Sequence, residues 1–396
     1  MLAPMTPYVC PRCAVSAPAD ALTWCCPRCR GPWDLDFTSA PMSLTSLASR
    51  VNSLWRYEEA LPLATEIPHV TLGEGRTPLV PLTASAAGSG TGSGTGSIWA
   101  KLDFLMPTLS FKDRGAVMLA ELARRLARAG GVRRVLADSS GNAGTAIAAY
   151  CARAGLDCAV YVPEGTSAKK LEQIRAHGAL PTLVPGDREA TARAARAAAD
   201  EPGTFYASHV YNPHFLHGTK TYVYELWEEL GGRLPDTIVV PVGNGTLLLG
   251  AALAVDELYR HGLTETRPPL VAVQAEAVSP LAAAFHAGAD DLLVPAAGAQ
   301  AAARHTIAEG IAIPNPPRAR QILRAVRASG GTFLTVTEDQ LRAAQQDLAR
   351  RGLFVESTGV ACWAAVRAAP RPGLTVVPLC GAGAKTGLSP SSTYRA

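Results

Sequence analysis

Short apolar runs alternate along this chain with longer segments whose apolar residues recur at helical spacing, and glycine closes many of those segments. After residue 112 the pattern predicts strands at Arg134–Ala137, Cys158–Val162, Leu180–Val184, Ile238–Val242, Leu270–Gln274, Thr332–Val336 and Thr375–Leu379. It predicts helices at Arg114–Ala129, Gly144–Ala154, Ala168–His177, Arg188–Ala199, Thr219–Leu230, Leu247–Tyr259, Arg318–Ala328, Glu338–Arg350 and Gly359–Ala368. Alternation of this kind implies an α/β fold of parallel sheets with helices on both faces. The strands are too many for one small sheet, so two doubly wound open-sheet domains are expected. Earlier in the chain, Ser43–Ala60 reads as a helix ended by Pro62, and Gly73–Leu82 as a turn leading into a short strand. Ala84–Ser97 reads as a flexible Gly/Ser/Thr-rich surface loop, and Ile98–Phe104 as a strand.

At 396 residues the chain is long enough for two or three domains with sizeable cores. Apolar residues make up 48% and charged residues 18%, the balance of a water-soluble globular protein. A net charge of +4 is too mild to suggest a nucleic-acid partner. The opening Met1-Leu2-Ala3-Pro4-Met5 lacks the basic and apolar parts of a secretory signal, and no apolar run reaches the length of a membrane span. A cytoplasmic setting without a membrane partner is expected.

Cysteine changes the picture at the amino terminus. Cys10-Pro11-Arg12-Cys13 and Cys26-Pro27-Arg28-Cys29 are twin C-x-x-C knuckles. Each can direct two thiolates at one ion, and together they supply the four ligands of a closed structural zinc site. So short a segment has little core of its own, and the metal would supply its folding energy. Cys25, beside Cys26, is either a substitute ligand or a spare thiol.

In open α/β sheets, ligands bind beyond the carboxyl ends of strands, so loops that follow strands hold the chemistry. Ser139-Ser140-Gly141-Asn142-Ala143-Gly144 is such a loop, and so is Gly243-Asn244-Gly245-Thr246-Leu247. Small residues there let backbone amides reach an anion at a helix start. Neither has the spacing of a dinucleotide-binding or Walker A loop. A third loop, Cys380-Gly381-Ala382-Gly383-Ala384-Lys385, follows the last strand. Lys112, in Ser110-Phe111-Lys112-Asp113-Arg114-Gly115, stands at the start of a long helical run. The positive end of a helix favours the neutral amine, which Schiff-base chemistry requires. An amine for an aldehyde, a cradle for a phosphate, an anion loop for a substrate and a polar group for a ring nitrogen are the parts that pyridoxal phosphate needs.

On these motifs the chain resembles the fold-type II pyridoxal-phosphate enzymes, a tryptophan synthase β-like fold, and most closely the threonine synthase family. The resemblance runs from Gly73-Glu74-Gly75-Arg76-Thr77-Pro78-Leu79 through Lys385. It implies a zinc-ribbon-like segment at 1–36 and a catalytic region at 37–396. That region would have a small domain at about 103–214 and a large one from 37–102 plus 215–396. It implies Lys112 as the Schiff-base lysine and Asn142 as the contact to the cofactor's phenolic oxygen. Ser139, Ser140, Gly141 and Ala143 would hold the carboxylate of a small amino-acid substrate. Gly243, Asn244, Gly245, Thr246 and Leu247 would bind the cofactor phosphate, and Cys380 would face the pyridine nitrogen. Glu356 matches a family glutamate near the ring. A homodimer is implied as well.

The implied reaction is elimination and replacement on O-phosphohomoserine or a related activated amino acid. The alternative is a β-lyase or β-replacement enzyme of the serine/threonine dehydratase kind. Two departures bear on that choice. Leu109 stands where the family motif usually has Gly. Phe215, after Asn212-Pro213-His214, stands where close relatives have an Arg suited to gripping a substrate phosphate. His209, His214, His217, Lys169, Lys170 and Lys220 are the candidates for replacement charge.

Overall fold

The computed structural model describes residues 5–63, 69–83, 96–293 and 305–387. The loop expected at Ala84–Ser97 lies, through residue 95, outside the described residues. By its contacts the chain divides into two compact units, residues 1–76 with 112–221, and residues 77–111 with 222–396.

The first unit holds a four-stranded parallel sheet in the order Leu180–Val184, Cys158–Pro163, Arg134–Ala137, Thr204–Tyr206. The Lys112–Arg128 helix is buried almost throughout and contributes Val117, Met118, Leu119 and Leu122 to the core. Leu54, Trp55, Leu61, Leu63 and Val70 join that same core, so residues 37–76 lie here and not with the larger domain expected for them. Glu121 fixes this attachment. It is fully buried and accepts from Arg124 (2.7 Å), Arg125 (2.8 Å) and the Val70 amide (3.0 Å). Burial opposes its ionised form, but His69, the two arginines and the amide outweigh burial and hold the carboxyl well below its usual range.

The amino-terminal segment forms a small antiparallel sheet of Ser16–Ala17, Tyr8–Val9 and Asp34–Leu35. Its buried cluster is Tyr8, Cys10, Ala19, Cys26 and Trp33.

The second unit holds six strands in the order Thr332–Val336, Leu270–Ala275, Thr237–Pro241, Leu374–Pro378, Ser97–Lys101, Leu79–Pro81. All neighbours are parallel except the last pair. Thr237–Pro241 and Leu270–Ala275 are buried at every position, as strands covered on both faces must be. Lys101 is fully buried and tied to Glu225 and Glu229, each at 2.8 Å.

Several elements differ from the sequence reading. The helix expected over Ser43–Ala60 is a short one at Leu44–Leu47 and a 3-10 segment at Leu54–Ala60. Ser53 takes an extended backbone and its hydroxyl caps Trp55 N, which restarts the turn. The Ile98–Phe104 strand stops at Lys101, because Asp103–Leu105 turns as 3-10 helix. Thr219–Leu230 is two helices, His214–Thr219 and Thr221–Glu229. The Thr204–Tyr206 strand and the Pro280–His286 helix were not anticipated.

Three buried histidines give the first unit a pH dependence. His214 is pushed down to about 3 by burial and then by Arg125; burial likewise leads the lowering of His209 and His217. The unfolded chain therefore binds protons that the folded one does not as pH falls through 6.5. Stability is full above that value and declines toward the folded pKa values. The melting temperature is expected to be lower at about pH 5 than at about pH 7.5; calorimetry showing equal values would contradict the neutral buried histidines.

Candidate active site and metal centre

Lys112 is the first residue of the Lys112–Arg128 helix and is half-buried. One turn on, a Cβ at Gly115 would lie 2.4 Å from the Phe215 ring, which is fully buried. A Cβ at Gly218 would lie 1.9 Å from the Arg114 carbonyl oxygen. These two glycines let the His214–Thr219 helix lie directly against the start of the lysine's helix. The Lys112 amine is 5.7 Å from the Phe215 centroid. The ring face favours the ammonium form and the helix start disfavours it, so the two act in opposition on this nitrogen. His209 meets Phe215 edge-on at 5.8 Å. Burial first, then the charges of Lys112 and Arg188, keep its imidazole neutral.

Phe215 is thus a core side chain, and the histidines named as replacement cations are neutral near pH 7. Lys220 is fully buried, with its amine 2.9 Å from His217 Nδ1 and 5.0 Å from the Phe37 centroid. Of the six candidates, Lys169 is exposed and Lys170 half-buried, in the first turn of the Ala168–Ala176 helix.

The Ser139–Gly144 loop carries the chain from the Arg134–Ala137 strand into the Asn142–Ala154 helix. Asn142 is the first helical residue, and Gly141 precedes it in extended backbone. Ser139 Oγ accepts from Gly141 N at 3.3 Å, which tightens the turn. Ser139, Ser140 and Asn142 are half-buried, Gly141 is exposed and Ala143 is buried. A Cβ at Gly144 would lie 1.8 Å from the Ser139 carbonyl oxygen. Gly144→Ala therefore pushes the loop off the helix start, at a cost of about 1–3 kcal/mol. Thermal unfolding should show that loss, with weakened cofactor retention alongside; an unchanged melting temperature would contradict the packing.

One network here was not legible in the sequence. Tyr150, on the same helix, donates to Glu74 at 2.9 Å, and Thr71 Oγ1 (3.0 Å) and Leu72 N (2.9 Å) donate to the same carboxyl. Burial raises that carboxyl's pKa above the ordinary value. The turn it secures places Gly73, Gly75 and Arg76 at φ 83°, 100° and 49°.

In the second unit, Gly243–Leu247 joins the Thr237–Pro241 strand to the 15-residue Thr246–Arg260 helix. Gly245 caps that helix at φ 75°, and a Cβ there would lie 2.3 Å from Ile322. A Cβ at Gly243 would lie 2.9 Å from the Ile311 backbone. Asn244 is half-buried; Thr246 and Leu247 are buried. The turn thus offers backbone amides at a helix start, the arrangement that receives a phosphate.

Cys380 lies two residues beyond the Leu374–Pro378 strand and is buried. Its carbonyl accepts from Phe111 N at 2.9 Å, Ser110 bridges to Gly381, and Lys385 Nζ donates to Thr108 O at 2.9 Å. Ala382 N donates to Leu109 O at 3.0 Å. Leu109 takes φ 62°, the left-handed region, which explains a glycine preference at this position. Glu356 is buried, its amide donates to Gly381 O at 2.9 Å, and its carboxylate oxygens lie 2.3 and 2.6 Å from where a Gly381 Cβ would stand.

The thiols of Cys10, Cys13, Cys26 and Cys29 all lie within 4.8 Å of one another. Bonds of about 2.3 Å at tetrahedral angles would place sulfurs about 3.8 Å apart, so the group fits a single ion. The knuckles match in backbone. Ala14 N donates to Cys10 O at 3.0 Å and Arg30 N to Cys26 O at 2.8 Å, with Ala14 and Arg30 at φ 57° and 56°. Cys25 is buried outside this group and lines a cavity of about 330 Å³ with Trp24, Arg30 and Asp200.

A family model described as "Pyridoxal-phosphate dependent enzyme" matches residues 70–381. A threonine synthase of Methanosarcina acetivorans is 32% identical over 362 residues, 90% of this chain and 85% of its own. The chain belongs to the pyridoxal-phosphate dependent enzymes of the threonine synthase-like family. A further family member, the threonine synthase of Mycobacterium tuberculosis strain H37Rv, is 33% identical over 77% of this chain and 79% of its own. Among solved structures, a bacterial threonine deaminase, its source abbreviated "T.th.", superposes with a TM-score of 0.61 at 29% identity, covering 74% of this chain and 89% of its own. The fold is that of the fold-type II enzymes.

The residues present fit the family's cofactor. Lys112 offers a half-buried amine at a helix start, and Gly243 and Gly245 form a turn in which a Cβ would collide with its neighbours. Cys380 offers a buried neutral group in the same unit as that turn. Among the described residues no helix is long and apolar enough to cross a membrane.

Proposed function

We propose that this protein converts O-phosphohomoserine, or a closely related activated amino acid, to threonine or an analogous product by elimination and replacement. The observation that carries this reading is the match to a threonine synthase across 90% of the chain. Pyridoxal phosphate, when bound, supplies an aldehyde that takes up an amine and a ring that accepts electron density. Lys112 is the amine that anchors it. Freed by substrate, Lys112 takes the proton from the substrate's α carbon and returns it further along the chain. Ser139, Ser140, Gly141 and Ala143 orient the substrate carboxylate at the start of the Asn142 helix. The Asn142 amide holds the cofactor's phenolic oxygen, Gly243–Leu247 hold its phosphate, and Cys380 faces its ring nitrogen without forcing a proton onto it. Cys10, Cys13, Cys26 and Cys29 hold a structural zinc ion.

A second reading, a β-lyase on a non-phosphorylated amino acid, is favoured by Phe215. A buried phenyl ring offers no bidentate partner to a substrate phosphate, and the threonine deaminase superposition is in keeping with it. Product analysis separates the two. Phosphate and threonine released together from O-phosphohomoserine support the first reading. No phosphate, with keto acid formed from serine or threonine, would overturn it in favour of the second.

A further inference from the structure

The amino-terminal segment holds its four cysteines far from the lysine in sequence, yet one short helix stands between the two. Cys10 and Cys26 share a buried cluster with Tyr8 and Trp33. Tyr8 stacks on Trp33 at 5.8 Å and meets His214 edge-on at 5.9 Å, and its hydroxyl accepts from Asn212 Nδ2 at 3.3 Å. Trp33 N donates to Tyr211 O at 3.2 Å, and Phe37 meets His217 edge-on at 5.3 Å. His214 and His217 are three apart and form one face of the His214–Thr219 helix. Phe215 and Gly218, also three apart, meet the first turn of the Lys112 helix, and the Lys112 amine is 5.7 Å from the Phe215 centroid.

We propose that the four-cysteine segment positions Lys112: Tyr8 and Phe37 clamp one face of the His214–Thr219 helix so that Phe215, on the other, is held against the reactive nitrogen. Tyr8 and Phe215 are positioning residues, and metal binding is coupled to the protonation of the lysine nitrogen through them. The proposal rests on the reading of Lys112 as the cofactor's anchor. Asp113 and Arg114 follow Lys112 on its own helix, and His209 acts on it from the segment before the His214 helix. Because burial keeps His209 neutral, it does not titrate near neutral pH. The Phe215 ring is therefore the contribution that the segment controls.

The test is the pH midpoint of the visible absorbance band in the full-length, cofactor-loaded protein. Phe215→Leu removes the ring face and should lower the midpoint by about half a unit. Tyr8→Leu, and chelation of the metal from the unmodified protein, should each lower it in the same direction. Chelating the metal from the Phe215→Leu protein should add no further shift, since both act through one ring. Tyr8→Phe keeps the stacked ring and should restore the original midpoint. An unchanged midpoint after both Tyr8→Leu and chelation, or shifts that add in the doubly treated protein, would overturn the coupling while leaving the anchor intact. A pH-dependent band that persists in Lys112→Ala would overturn the anchor and the coupling with it.

Discussion

Lys112→Ala is expected to abolish turnover while leaving the protein folded. The residue is half-buried at the first position of its helix, so alanine satisfies the local backbone, and the contact with the Phe215 ring that the native state gives up is a weak one. Loss of the acid–base role alone is worth about 10²–10⁴-fold in rate, and loss of the covalent anchor adds to it. Lys112→Arg should be as inactive, because a guanidinium stays protonated and cannot act as a nucleophile. Steady-state product formation beside a far-UV circular dichroism spectrum checks both halves. Activity within tenfold of the original would mean that another group does the chemistry.

Metal removal is the second large effect. The amino-terminal cluster comprises only Tyr8, Cys10, Ala19, Cys26 and Trp33 among the described buried residues, too little apolar burial to fold three two-residue strands unaided. A four-thiolate zinc site contributes about 10–16 kcal/mol of apparent binding free energy, and in so small a segment that is folding free energy. Chelation, or Cys13→Ser, should release the metal and sharply raise amide exchange across residues 5–36, with the second unit's central strands unaffected. Cys25→Ser should leave metal content unchanged, because the Cys25 thiol lies outside the group of four. A protein whose segment stays protected without metal would show that its aromatic packing suffices, and metal loss in Cys25→Ser would assign Cys25 as a ligand.

Much of the fold was legible because its signals are local. The runs at Thr237–Pro241 and Leu270–Ala275 read as strands since both faces are covered, and the loops at Ser139 and Gly243 were marked by small residues between strand and helix. The twin C-x-x-C spacing brought together the four thiols that the structure gathers. Non-local features were hidden. Nothing in the sequence around Gly115 announces the Phe215 ring above it, and nothing around Ser110 announces its bridge to Gly381. Residues 37–76 were placed with the wrong unit because Trp55 and Leu63 signal burial but not a partner. Thr204–Tyr206 is too short to show a period, and the Ser53 hydroxyl divided what read as one helix. Phe215, read from the sequence as a lost phosphate ligand, is instead the floor beneath the lysine.

The central claim is that Lys112 anchors the cofactor, and its most direct test is borohydride reduction of the loaded protein followed by peptide mass mapping. The account predicts a stable cofactor adduct on the peptide containing residue 112 and on no other. An adduct on Lys101, Lys220 or Lys385 instead, or no adduct in protein that retains the cofactor, would contradict it.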